Sequence, residues 1–177
     1  WNSRWEFDKA PDLFARTVRW LAEEGVPFRL ALCGDPGPNP HAALLALRET
    51  LGDRVVQFGL AADRAAYARI LRGSDVVVST SRHEFIGMVE AMHAGCLPLA
   101  PDGLNYPAIV PPELHSRCLY RSEADLRERL RDELLARPPV PRNALRAGAE
   151  RFAWEAVAPQ WDRALDALSA CSFDKTH

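Results

Sequence analysis

Short β-branched or apolar runs alternate along the chain with longer amphipathic ones, the pattern of βαβ units built around a parallel sheet. Strands are expected at Phe28–Cys33, Val55–Phe58, Asp75–Ser79 and Leu97–Ala100, with a shorter one near Cys118–Tyr120. Trp1–Trp5 reads as the end of a further strand. Helical spacing covers Pro11–Glu24, His41–Leu51, Asp63–Arg72 and Met88–Ala94. In the first of these, Leu13, Phe14, Val18 and Leu21 fall on one face, with Pro11 suited to the first turn and Gly25 to the stop. Asp63 is positioned as an N-cap, and Ser122 with Asp125 resembles a capping box opening a helix to about Ala136. After the prolines at 138, 139 and 141 only helices remain, roughly Arg142–Phe152 and Trp154–Ala170. The predicted fold class is α/β: a doubly wound, Rossmann-like parallel sheet with a helical C-terminal extension. It forms a single domain over 1–177, with the sheet-and-helix core in about 1–136 and the C-terminal helices in about 140–170.

Composition narrows the function classes. A length of 177 residues with 47% hydrophobic content suits one packed core. Lys plus Arg is 22 against 24 Asp plus Glu, a net charge of −2, so global basic charge gives no reason to expect nucleic-acid or membrane binding. The cations are 20 Arg and only two Lys, Lys9 and Lys175. No apolar stretch approaches the length of a membrane span, and the first residues show no signal-peptide pattern. Cys33, Cys96, Cys118 and Cys171 contain no C-x-x-C pair, which leaves neither a zinc ribbon nor a dithiol redox motif. Free cysteines of this kind point to a reducing, cytoplasmic compartment. A chain opening on Trp1 is read as a piece of a longer protein or as a processed or trimmed product.

In an open parallel sheet, ligands bind at the carboxyl ends of the strands, beside the helix N-termini that follow. That rule gathers Arg4 and Lys9, Gly34-Asp35, Gly59-Leu60, the run Ser79-Thr80-Ser81-Arg82-His83-Glu84-Phe85-Ile86-Gly87, and Pro101-Asp102-Gly103. Two cations beside a helix N-terminus suit a phosphorylated ligand. Each residue also has a bland reading. Arg4 and Lys9 can be solvated surface charges, the glycines can serve only the turns, and Glu84 can simply line the next helix. His83 and His93 lack metal-ligand spacing, so no metal site is expected. Neither G-x-G-x-x-G nor the P-loop pattern occurs, which weighs against dinucleotide oxidoreductases and P-loop enzymes. The five tryptophans, Trp1, Trp5, Trp20, Trp154 and Trp161, read as core or interface.

Taken in order, these residues resemble a known family. Trp1-Asn2-Ser3-Arg4-Trp5-Glu6-Phe7-Asp8-Lys9 is similar to the phosphate-binding start of the C-terminal domain in retaining, family 4 glycosyltransferases of the GT-B fold. Ser81 to Gly87, followed by Glu90-Ala91-Met92-His93-Ala94-Gly95, resembles that family's two-glutamate signature. With Tyr106-Pro107 added, the pattern is most similar to the tRNA-queuosine mannosyltransferase group. The resemblance implies a nucleotide-sugar donor, GDP-mannose, and transfer of its mannose to queuosine in tRNA by a full-length enzyme whose N-terminal GT-B domain holds the acceptor. It implies that Glu84 is the catalytic-site residue on the sugar hydroxyls and that Glu90 holds the ribose. Backbone amides of Phe85, Ile86, Gly87 and Met88 would then face the sugar and phosphates. Arg4 and Lys9 would neutralise the leaving diphosphate, with no metal or other cofactor required. Glu84 and Glu90 stand six residues apart where the family has eight, a difference of about half a helical turn.

Two other readings stay open: a non-catalytic binding module on the same fold, and a GT-B hexosyltransferase for a lipid or glycan acceptor. As for an RNA surface, Arg117 to Arg151 holds nine Arg against six Asp plus Glu. Arg127, Arg129 and Arg131 are interleaved there with Glu128, Asp132 and Glu133, as on a solvated helix face.

Overall fold

The computed structural model describes residues 1–83 and 85–172, for 170–172 the backbone alone. Its strands form two parallel sheets. In one, β1 (Leu30–Leu32) lies beside β2 (Val55–Phe58), with Leu32 opposite Phe58. In the other, β4 (Leu97–Pro101) lies between β3 (Val76–Val78) and β5 (Leu119–Tyr120), with Val76 opposite Leu97 and Ala100 opposite Leu119. Parallel neighbours need crossovers. These are supplied by α2 (Ala42–Leu51) between β1 and β2, α3 (Arg64–Arg72) between β2 and β3, and α4 (Ile86–Ala94) between β3 and β4. The short α5 (Tyr106–Ile109) and α6 (His115–Cys118) join β4 to β5. Before the first sheet comes α1 (Pro11–Glu23); after the last strand come α7 (Glu123–Ala136), α8 (Arg142–Glu150) and α9 (Trp154–Ser172).

Adjacent residues on a strand face opposite ways, and here each way leads to a different core. Val78, Leu99 and Tyr120 join Phe14, Leu21, Leu44 and Leu126 from α1, α2 and α7. Their neighbours Val77, Ala100 and Leu119 join Met88, Met92 and Leu145 from α4 and α8. The strands are therefore apolar on both faces, as a doubly wound sheet requires. Predicted helix signals also operate. The Asp63 carboxylate accepts from Ala66 N at 2.6 Å and Ser122 Oγ from Asp125 N at 3.1 Å. The Asp125 carboxylate reaches back one residue further than a capping box would, to Arg121 N at 2.8 Å.

Three expectations change. The strand expected over Trp1–Trp5 reduces to a single parallel rung: Trp1 N donates to Ala31 O at 3.0 Å and Cys33 N to Trp1 O at 2.8 Å. Beyond it a further bond, from Trp5 N to Asp35 O at 3.3 Å, keeps the register that Trp1 sets with Ala31, so the chain runs on beside the end of β1 without becoming a regular strand. Helix α4 starts at Ile86, two residues before the apolar spacing indicated, since Val89 N already bonds to Phe85 O at 3.0 Å. Trp154 and Trp161 are 73% and 62% exposed, so within the described residues they belong to no core, unlike Trp1 and Trp5.

Gly34 marks the tightest point of this contact. A Cβ there would lie 2.1 Å from Ser3 O, a backbone atom that no rotamer change can move. Gly34→Ala is expected to destabilise the domain by about 3 kcal/mol, at the upper end of overpacking costs, read as a lower urea midpoint. A midpoint equal to that of the parent chain would show that residues 1–5 do not press on β1 in solution.

Candidate functional site

The carboxyl ends of β1 and β3 meet the segment 1–9 at one rim of the sheet, and the sequence of that segment dictates how. Phe7–Lys9 form a 3-10 turn, and Ala10 takes a left-handed conformation (φ 48°) that redirects the chain into α1. This reversal carries Lys9 inward. Its side chain is only 8% exposed; Nζ lies 3.1 Å from Asp8 Oδ2 and donates to His83 O at 3.5 Å. Its own carbonyl accepts from Thr80 Oγ1 at 2.7 Å. Lys9 is thus tied at both ends to the loop that leaves β3. The surface-charge reading of Lys9 fails on burial.

Arg4 behaves differently. Its side chain is 66% exposed and pairs with Glu6 at 3.0 Å. The two predicted phosphate ligands thus lie on one segment but in unlike environments. One is a fixed, buried cation and the other a long solvated arm. An exposed pair of the Arg4–Glu6 kind contributes little and exchanges readily for another anion.

The loop after β3 is fixed by buried hydroxyls. Tyr106 OH donates to Ser81 O at 2.8 Å and meets Ser79 Oγ at 2.8 Å, while Tyr120 OH donates to Ser79 O at 3.0 Å. Burial pushes the Tyr120 phenol well above its usual range, so it stays a neutral donor. Ser81 Oγ closes the turn by donating to His83 O at 2.8 Å. The loop then delivers the chain to α4. Glu84, placed by the sequence at the sugar hydroxyls, lies outside the described residues.

At the start of α4 the four predicted amide positions divide. Phe85 and Ile86 are exposed, at 44% and 67%, and Phe85 packs edge-on against Phe152, with ring centres 5.1 Å apart. Gly87 and Met88 are buried, and the Met88 side chain belongs to the core, so only its backbone N–H is available at the rim. The amides of Ile86, Gly87 and Met88 lie in the first turn, where no intrahelical acceptor exists. They carry the positive end of the helix dipole. Glu90 stands one turn further along the same face, half-buried, with Arg64 Nη2 at 3.2 Å.

Several participants were not singled out from sequence. Asn2 Nδ2 donates to Gly87 O at 2.9 Å and to Tyr67 OH at 3.0 Å, linking the first segment to α4 and α3. Tyr67 is pushed up to about 12, first by burial and further by the nearby Glu90 carboxylate. Gly87 permits this contact; a Cβ there would sit 3.1 Å from Asn2 Nδ2. The signal for Asn2 was its place in the motif-bearing run 1–9. Nothing local marked Tyr67 or Arg64, which reach the site only through the packing of α3 on α4. Among the described residues, no group of three His, Cys, Asp or Glu could hold a metal ion.

No protein-family model matches the chain. A tRNA-queuosine alpha-mannosyltransferase of Drosophila melanogaster is 40% identical over 115 residues, which is 64% of this chain and 30% of that protein. The chain therefore spans about a third of the length of the curated relative it matches. A solved structure of sucrose-phosphate synthase from Thermosynechococcus elongatus superposes with a TM-score of 0.72 at 24% identity, covering 95% of this chain and 44% of that one. The shared fold extends through almost the whole chain and agrees with the Rossmann-like, doubly wound reading.

The Tyr106 hydroxyl gives the site's rigidity a direct test. Tyr106→Phe leaves the Ser79 hydroxyl buried without that partner, at an expected cost of about 1–3 kcal/mol, measured by urea unfolding. A neutral substitution would mean that the loop after β3 is held without the Tyr106 hydroxyl, by Thr80, Ser81, Tyr120 and the backbone.

Proposed function

We propose that the chain is the nucleotide-sugar-binding domain of a retaining glycosyltransferase that moves mannose from GDP-mannose to queuosine in tRNA. The observation that carries this reading is the buried Lys9 ammonium, held at the loop that enters α4, on the rim where the first-turn amides of that helix emerge. A fixed cation and a helix N-terminus at one rim suit a diphosphate, and they favour it most as it leaves, when its charge grows. Arg4 swings from Glu6 to the outer phosphate. Glu90, aligned by Arg64, accepts from the ribose hydroxyls, and one carboxylate suits two vicinal donors. Glu84 takes the sugar hydroxyls. The identity with the fly mannosyltransferase supports the choice of donor and acceptor. The acceptor is held by an N-terminal GT-B domain of the longer protein, which works in the cytoplasm. The isolated domain binds donor and transfers little.

Unlike environments give the two cations unlike expected effects on GDP affinity, measured by titration calorimetry. Lys9→Ala removes a preorganised charge and should weaken GDP by about 2–3 kcal/mol; Arg4→Ala should cost about 1 kcal/mol, since the free arm gives up a pair with Glu6 and water to bind. Glu90→Gln should weaken GDP and GDP-mannose alike, whereas Glu84→Gln should weaken mainly GDP-mannose. Unchanged affinity in all four, or no saturable binding of any GDP- or UDP-sugar by the parent, would leave a non-catalytic module as the reading.

The acceptor half of the proposal is tested with the full-length protein. It should transfer labelled mannose from GDP-mannose to queuosine-containing tRNA and not to the same tRNA with guanine at that position. This domain contributes little to tRNA binding, because its arginine-rich stretch is already neutralised. Arg127 pairs with Glu123 at 2.5 Å, Arg129 with Asp125 at 2.6 Å and Arg117 with Glu133 at 2.7 Å. The isolated domain should bind tRNA weakly and lose it steeply with salt. Labelling of a lipid or glycan in place of tRNA would reassign the acceptor and keep the donor site.

A further inference from the structure

Helices α3, α4 and α8 leave a hollow of about 360 Å³ between them, at the small end of ligand pockets, which span about 300–1,000 Å³. Helical spacing builds it. On α3, Arg64, Ala68 and Arg72 follow one another at i, i+4 and i+8, with Tyr67 and Leu71 beside them. On α4, Glu90, His93 and Ala94 share a face in the same way, and α8 contributes Arg146. The floor is apolar: Leu71 is buried, and Tyr67, Ala68 and Ala94 are half-buried. The mouth is cationic, because Arg64, Arg72, His93 and Arg146 are all exposed. Among the described residues, Glu90 is the one carboxylate in the lining, against three guanidinium groups. Its ion pair is with Arg64, through Nη2 at 3.2 Å. Arg72 and Arg146 pair with no carboxylate among the described residues. On α7, by contrast, Arg127, Arg129 and Arg131 each have an acidic partner, at 2.5, 2.6 and 3.0 Å.

We propose that this hollow binds a phosphate monoester whose organic part is apolar. Cations of like sign gathered over a low-dielectric floor repel one another, and a bound dianion replaces that repulsion with attraction. Guanidinium forks match phosphate oxygens in pairs. Three forks suit the three terminal oxygens of a monoester, whereas a diester or a carboxylate offers two. The apolar floor then takes the organic part, with the Tyr67 ring among its contacts. Arg64 joins without abandoning Glu90, since the carboxylate occupies only its Nη2 and a guanidinium has five donors. Neither Arg4 nor Lys9 lines the hollow, and neither Arg72 nor Arg146 belongs to the rim, so the two sites stand or fall separately.

Phenyl phosphate is the probe, with inorganic phosphate and phenol as its two halves, each titrated into the isotope-labelled chain at constant ionic strength and followed by amide NMR. Phenyl phosphate should shift the amides of Ala68, Leu71, His93 and Ala94 and bind about tenfold more tightly than either half. Arg72→Ala combined with Arg146→Ala should lower that affinity about tenfold or more. Tm and GDP affinity should stay as they are, because both side chains are exposed and outside the donor site. Arg72→Gln and Arg146→Gln, singly, should each weaken the ester, and they carry the test should the double variant lose its fold. Lys9→Ala should leave phenyl phosphate binding unchanged. Inorganic phosphate or phenol binding as tightly as the ester overturns the proposal. So does an affinity that survives the loss of both arginines, or one that is lost in Lys9→Ala instead, which would place the ester in the diphosphate site. GDP binding without ester binding refutes this site and keeps the donor reading; ester binding without GDP binding does the reverse.

Discussion

The backbone contact of residues 1–5 with the end of β1 is the constraint on which the rim depends. Ser3 O passes where a Cβ of Gly34 would stand, and Trp1 and Trp5 bond on either side of that point, to Ala31, Cys33 and Asp35. From there the 3-10 turn and the left-handed Ala10 leave Lys9 little choice of position. Asn2 and Thr80 then fasten the same segment to α4, α3 and the loop after β3. A nine-residue stretch with no regular strand of its own is thereby held from four directions, the rigidity that the proposed diphosphate contact of Lys9 calls for.

Charge in this protein is distributed by the same logic. Several exposed arginines are spent on nearby carboxylates, as Arg16 on Glu123 at 2.9 Å and Arg121 on Asp102 at 2.9 Å. Glu123 is held below the usual carboxylate range by the hydrogen bond from Arg16 above all, against a smaller opposing desolvation. Such pairs add little to stability in water, but they quench the potential of α7 and leave that face unsuited to a long phosphate backbone. The buried Lys9, itself beside Asp8 at 3.1 Å, differs in its place: it lies at the strand ends, where ligands of parallel sheets bind.

Much of the fold was legible because its determinants are local. Short apolar runs, Pro11, Gly25, Asp63 and Ser122 act within a few residues, and the elements they mark appear within one or two residues of where the pattern put them. The start of α4 was misread because Phe85 and Ile86 are apolar yet exposed; periodicity reads burial, and these two residues end at the rim. Trp154 and Trp161 of α9, read as core or interface, join no core among the described residues, since an apolar side chain records a preference for burial without recording which neighbour satisfies it.

The site divides along the same line. Residue types and spacing in the chain alone singled out Arg4, Lys9 and the run from Ser79 to Gly87 as rim residues, since strand ends and helix starts are one-dimensional features, whereas Glu90 came only from the family resemblance. Only the tertiary structure could bury Lys9 and leave Arg4 in solvent, because burial is set by what a segment crosses. It alone brought Asn2 to Tyr67 and Gly87, and Arg64 to Glu90, contacts spanning 65, 85 and 26 residues. It alone set β4 between β3 and β5, for strand pairing is a relation between segments, and no single segment carries the address of its neighbour.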